Sequence, residues 1–151
     1  MTTAPVRVLF VCTHNSARSQ IAEALLQQLG GPGFDVHSAG SEVTPVNPLA
    51  IRALAEQGID WTSARSKSID EFLNQDFDYV ITVCDGVREA CPVMPGSRNT
   101  LHWGLDDPAD VEGTEDERLA AFRQTRSEIN ARLRPFVEIA DRAHRPGPPP
   151  G

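Results

Sequence analysis

The chain has 151 residues, 40% of them hydrophobic and 23% charged, which suits one globular domain large enough to bury a real core. No apolar run approaches the roughly 20 residues of a membrane helix, and the N-terminal Met1-Thr2-Thr3-Ala4-Pro5 lacks the pattern of a signal peptide, so a cytoplasmic protein with no membrane partner is expected. A net charge of −7 argues against nucleic acid as a partner, because phosphate contacts need clustered Lys and Arg.

Val6 to Cys12 is a β-branched, apolar run interrupted only by Arg7, as expected of a strand buried on both faces. Ile21 to Leu29 has helical spacing, with Ile21, Ala24, Leu25, Leu26 and Leu29 on one face, and Gly30-Gly31-Pro32-Gly33 stops it. A short second strand covers Phe34 to Ala39, and a helix runs from Pro48 to Gln57 with Leu49, Ala50, Ala53 and Leu54 inward. A short helix over Ile69 to Leu73 precedes a third strand, Tyr79 to Val83, and Asn99 to Trp103 is a fourth, with Trp103 in the core. The last helix spans Glu115 to Ala140, with Leu119, Phe122, Ile129, Leu133 and Phe136 inward and a kink expected at Pro135. Strands alternating with helices predict an α/β fold, a single-domain three-layer α/β/α sandwich on a four-stranded parallel sheet. The domain is set at residues 1–142, and the Pro/Gly-rich residues 143–151 are expected to form a disordered tail.

Between the first strand and first helix lies Cys12-Thr13-His14-Asn15-Ser16-Ala17-Arg18-Ser19, a Cys and an Arg separated by five residues. Such a loop curls so that consecutive N–H groups point at one centre, and the helix N-terminus adds partial positive charge, which together hold a tetrahedral oxyanion. Arg18 supplies a planar fork of donors, Asn15 tolerates a left-handed backbone, and Ser19 is placed to donate to the Cys12 sulfur. The same positive field favours the thiolate form of Cys12, which is the nucleophilic form. His14 is expected to shape the loop or its rim, since an ionised Cys12 needs no base.

Residues 6–140 resemble the low-molecular-weight tyrosine phosphatase superfamily, and within it the thioredoxin-coupled arsenate reductases. The resemblance makes Cys12 to Ser19 the oxyanion loop and makes Asp107, directly before Pro108 in Trp103-Gly104-Leu105-Asp106-Asp107-Pro108-Ala109, the general acid. Asp106 is the weaker candidate, and an Asp-Pro pair also fits a plain turn. It further implies that Cys84 and Cys91, seven residues apart and followed by Pro92, form the redox pair that such reductases carry at this spacing.

Cys84 follows the third strand and so emerges on the same sheet edge as Cys12. On this reading arsenate is attacked by Cys12, the oxidation passes to Cys84 and then to Cys91 by thiol–disulfide exchange, and thioredoxin recycles the product. That relay requires the 84–91 segment to move outward. The protein is expected to act as a monomer with no cofactor and no metal.

Two alternatives stand beside it. A phosphatase would share Cys12, Arg18 and Asp107, but that family lines its cleft with tyrosines near the Asp-Pro, whereas Ala109-Asp110 follows here and the single Tyr, Tyr79, lies in a strand. A non-catalytic oxyanion-binding or redox-sensing module would keep the loop without needing Asp107. A zinc site of Cys84, Cys91 and His102 is disfavoured by the long Cys spacing. Some relatives bind potassium beside the loop. Asn15, Glu23 and Ser38 match those positions, but Arg65-Ser66-Lys67-Ser68 replaces the remaining ligands, so the Lys67 ammonium is expected to occupy the cation's place.

Overall fold

The computed structural model describes residues 4–86 and 97–144. Four strands, β1 (Val6–Cys12), β2 (Phe34–Gly40), β3 (Tyr79–Thr82) and β4 (Asn99–His102), form one sheet in the order β2-β1-β3-β4. Every pairing is parallel, with Cys12 opposite Gly40 and Val11 opposite Thr82. The expected α/β fold and parallel sheet are therefore present.

The alternation along β1 sorts the interior into two parts. Val6, Val8, Phe10 and Cys12 face a core built with α1 (Arg18–Gly30), α2 (Pro48–Ala55) and α3 (Glu115–His144), while Leu9 and Val11 face Ala39, Ile69, Phe72, Phe77 and Val80. The second face is closed, among the described residues, by the expected short helix, a single 3-10 turn over Ile69–Phe72. Phe10 is fully buried in the first core, and truncating such a ring costs roughly 3–5 kcal/mol.

Local chemistry explains most boundaries. The Asn47 side chain accepts from Leu49 N at 2.9 Å, capping α2 with Pro48 in its first turn. Thr114 and Glu117 exchange cap bonds at the start of α3, where Glu117 N donates to Thr114 Oγ1 at 3.1 Å and Thr114 N to Glu117 Oε1 at 3.3 Å. The helix α3 runs on through Pro135 to His144, two residues into the stretch assigned to the tail, and residues 145–151 lie outside the described ones. Leu29, read as inward, is 45% exposed, because α1 buries only its first nine residues. Trp103, read as core, is half-buried; its ring tilts against Phe10 and packs edge-on against Phe136. No helix among the described residues is long and apolar enough to cross a membrane.

Candidate active site

Cys12 ends β1 at the carboxyl edge of the sheet, 2% exposed, and carries a free thiol. Residues 13–17 curl from it into α1, which starts at Arg18, three residues earlier than its apolar periodicity suggests. Arg18 and Ser19 thus sit in the helix's first turn, with no acidic residue there and no side-chain cap from Ala17. An uncapped, acid-free first turn leaves its N–H groups and partial positive charge available to an anion.

The loop's carbonyls explain where its amides point. Thr13 O accepts from Glu42 N at 2.8 Å, His14 O from Thr44 N at 3.2 Å, Ser16 O from Asn47 N at 2.8 Å and Ala17 O from Ile21 N at 2.9 Å. Asn15 O takes the Ser66 hydroxyl at 2.9 Å and Gln20 Nε2 at 3.1 Å. The carbonyls of Thr13, His14, Asn15 and Ser16 are thus taken by flanking groups, while the Ala17 carbonyl begins the α1 ladder. Asn15 N donates to Cys12 Sγ at 3.3 Å.

Asn15 adopts φ 51°, the left-handed conformation anticipated for it, and is fully buried. Its Nδ2 donates to Ser19 Oγ at 2.7 Å and to Ser38 Oγ at 2.9 Å, and Ser19 Oγ lies 2.8 Å from Cys12 Sγ. Ser38 donates in turn to Glu23 Oε1 at 2.5 Å, and Lys67 Nζ reaches the same oxygen at 3.1 Å. Lys67 N also donates to Asn15 Oδ1 at 2.8 Å. The Lys67 ammonium therefore sits against Glu23 beside Ser38. His14 lies on the rim, its Nδ1 2.9 Å from Glu42 O.

Arg18 is 2% exposed; its Nη1 donates to Leu105 O at 3.1 Å and its Nη2 lies 3.6 Å from Asp107 Oδ2. Asp107 is 18% exposed at the side chain, and its Oδ1 accepts from Ala109 N at 3.0 Å. It therefore both caps the Pro108–Asp110 turn and faces the guanidinium, whereas Asp106 is exposed. Cys84 is buried two residues beyond β3, the strand adjacent to β1, with Val83 N donating to Val11 O at 2.9 Å. Cys84 is disulfide-bonded. Cys91 lies outside the described residues, as does the rest of 87–96.

Sequence reasoning missed the outer shell. Gln20 bridges Asn15 to the Trp61 indole, which donates to Gln20 Oε1 at 2.9 Å, and Leu105 contributes only a carbonyl. Gln20 inside an amphipathic helix next to the loop was the one available signal.

The model of the low molecular weight phosphotyrosine protein phosphatase family matches residues 7–145. The chain belongs to this family. Within it, the chain is 44% identical over 131 residues to an arsenate reductase of Halalkalibacterium halodurans, covering 87% of this chain and 94% of the relative. A solved arsenate reductase from Archaeoglobus fulgidus superposes with a TM-score of 0.73 at 32% identity, covering 87% of this chain and 98% of that one. A thioredoxin-dependent arsenate reductase of Corynebacterium glutamicum does so with a TM-score of 0.69 at 33% identity, covering 94% and 65%.

Proposed function

We propose that the protein reduces arsenate to arsenite with Cys12 as nucleophile and passes the oxidation to Cys84 and Cys91, with thioredoxin as the external reductant. The observation that carries this reading is the position of Cys84, buried at the end of the strand beside Cys12, where a hydrolase has no use for a second sulfur. The relatives named above are themselves arsenate reductases, which supports the substrate class.

Arsenate enters the loop amides and the Arg18 fork. The Cys12 thiolate attacks arsenic, and Asp107 protonates the oxygen that leaves as water. Cys84, once its own disulfide has been reduced by the thioredoxin dithiol, then attacks Cys12 Sγ. The S–As bond breaks toward arsenic, which takes both electrons and departs as As(III), leaving a Cys12–Cys84 disulfide. Cys91 attacks Cys84, frees the Cys12 thiolate and closes Cys84–Cys91, which a thioredoxin dithiol reduces. Two thiols lose two electrons and arsenic gains two.

The partners of Arg18 are what substrate displaces. Arg18 is engaged by Asp107 and Leu105 O, so an arriving dianion takes the guanidinium from Asp107. Slow hydrolysis of phosphate esters is an expected side activity, since nucleophile, Arg and acid are shared. Tyr79 stands edge-on against Phe136 inside the fold, so aryl phosphates gain no stacking from it.

A coupled assay with arsenate, thioredoxin, thioredoxin reductase and NADPH tests the proposal. Turnover is expected in the wild type and lost in Cys12→Ser, Cys84→Ser and Cys91→Ser. Full turnover by Cys91→Ser with thioredoxin as sole reductant would remove that residue from the relay.

A further inference from the structure

The segment from Gly40 to Asn47 carries none of the catalytic groups, yet it lies along the outside of the nucleophile loop. Three of its amides, from Glu42, Thr44 and Asn47, take the carbonyls of Thr13, His14 and Ser16 in order. It is anchored at its start, where Gly40 N donates to Lys67 O at 2.9 Å, and at its end, where Asn47 caps α2. Ser66 ties the middle, its one hydroxyl proton shared between the Asn15 and Thr44 carbonyl oxygens that both lie within reach of its Oγ.

Gly40 itself is pressed against the loop. A Cβ there would stand 2.7 Å from Thr13 O, 2.8 Å from Asn15 N and 2.9 Å from the His14 carbonyl carbon. All three are backbone atoms that have no rotamer to escape into. The φ angle of Gly40 lies outside the left-handed region, so the requirement is for space and not for an unusual conformation. Asn15 N, one of the crowded atoms, is the amide that donates to Cys12 Sγ.

We infer that this strap, seated on Gly40, is a positioning element for the reaction: it draws the loop carbonyls outward and so sets both oxyanion affinity and the reactivity of Cys12. The inference rests on reading the Cys12 loop as the oxyanion site. It assigns Gly40 a role through contact with the loop backbone, and Glu42, Thr44 and Asn47 a role through their N–H groups and not their side chains. Glu42 and Thr44 are exposed, as side chains without a part in the site would be.

The test uses the full chain with inorganic phosphate as the probe. Thr44→Pro deletes one strap amide at an exposed position, and Val43→Pro is its control, because the Val43 N–H reaches no loop carbonyl. Phosphate affinity is read from protection of Cys12 against iodoacetamide, the pH profile of that alkylation is read without phosphate, and the melting temperature is read alongside.

Thr44→Pro is expected to weaken phosphate about five-fold, the worth of one backbone hydrogen bond, and to move the alkylation profile to higher pH. Val43→Pro is expected to follow the wild type in both. Gly40→Ala is expected to act in the same direction and more strongly; should it fail to fold by circular dichroism, the Thr44→Pro and Val43→Pro pair decides. Wild-type affinity and an unchanged alkylation profile in Thr44→Pro would overturn the inference while leaving the oxyanion site intact. If phosphate does not protect Cys12 in the wild type, both readings fall together.

Discussion

Replacing Lys67 by Met removes one charge from a nearly dry network while keeping an aliphatic stem of similar reach. Lys67 Nζ and Glu23 Oε1 are 3.1 Å apart, with side chains only 13% and 10% exposed. Removing one partner of a fully buried pair costs about 3–5 kcal/mol, because the other charge is left uncompensated. Glu23 would keep the Ser38 hydroxyl at 2.5 Å and Gln27 Nε2 at 3.2 Å, and it retains slight solvent access. The expected loss is therefore about 2–3 kcal/mol, which for a domain of this size lowers the melting temperature by roughly 5–10 °C.

Glu23→Gln/Lys67→Met removes both charges and should recover most of that loss. Because Glu23 leads through Ser38, Asn15 and Ser19 to Cys12, the single variant should also turn over arsenate several-fold more slowly. Scanning calorimetry of the three proteins reads the first effect. A Lys67→Met protein melting within a degree of the wild type would refute the claim that the ammonium neutralises Glu23.

The same ammonium predicts that exchanging sodium for potassium leaves wild-type turnover unchanged; a several-fold activation by potassium would show that a cation reaches Glu23 despite Lys67. Asp107→Asn should lower arsenate turnover by about 10²-fold or more, the usual worth of a general acid, while phosphate still protects Cys12. Turnover close to wild type would instead favour a module that binds oxyanions without Asp107. Glu56 on the exposed α2–α3 seam is pulled from 4.5 down to about 2 by hydrogen bonds from Arg123 and Arg126. A carboxyl depressed by folding stabilises fully above its ordinary value and loses that contribution as pH falls toward 2. Glu56→Gln should thus lower the urea midpoint at neutral pH, and the gap from wild type should close between pH 4.5 and 2. A gap independent of pH over that range would mean the ion pairs contribute nothing.

The parts of the fold that were legible in the sequence are those governed by local pattern. The β-branched run of β1, the apolar face of α2 and the Cys12 to Ser19 spacing each carry their own signal, and each forms where it was placed. Helix α1 begins earlier than its periodicity because Arg18 and Ser19 are held by the site and not by apolar packing. The short helix on the second face was legible as a helix but not as a 3-10 one, since Ile69 and Phe72 bury from a single turn. Least legible was the strap from Gly40 to Asn47. Its contribution is made by backbone amides and by the absence of a side chain at position 40, and neither leaves a residue-type signature. Lys67 was legible only through the resemblance, because nothing local tells that an ammonium in a loop will meet a carboxylate 44 positions earlier.

The most direct measurement is a single turnover of Cys91→Ser with arsenate in the absence of thioredoxin, followed by acid quench and mass spectrometry of the thiol-blocked peptides. With the last thiol removed, the reaction should stop at one equivalent of arsenite and a disulfide joining the peptides of Cys12 and Cys84. Arsenite released with both of those cysteines still free would contradict the account, and so would an unreacted protein whose Cys12 is shown to be alkylatable.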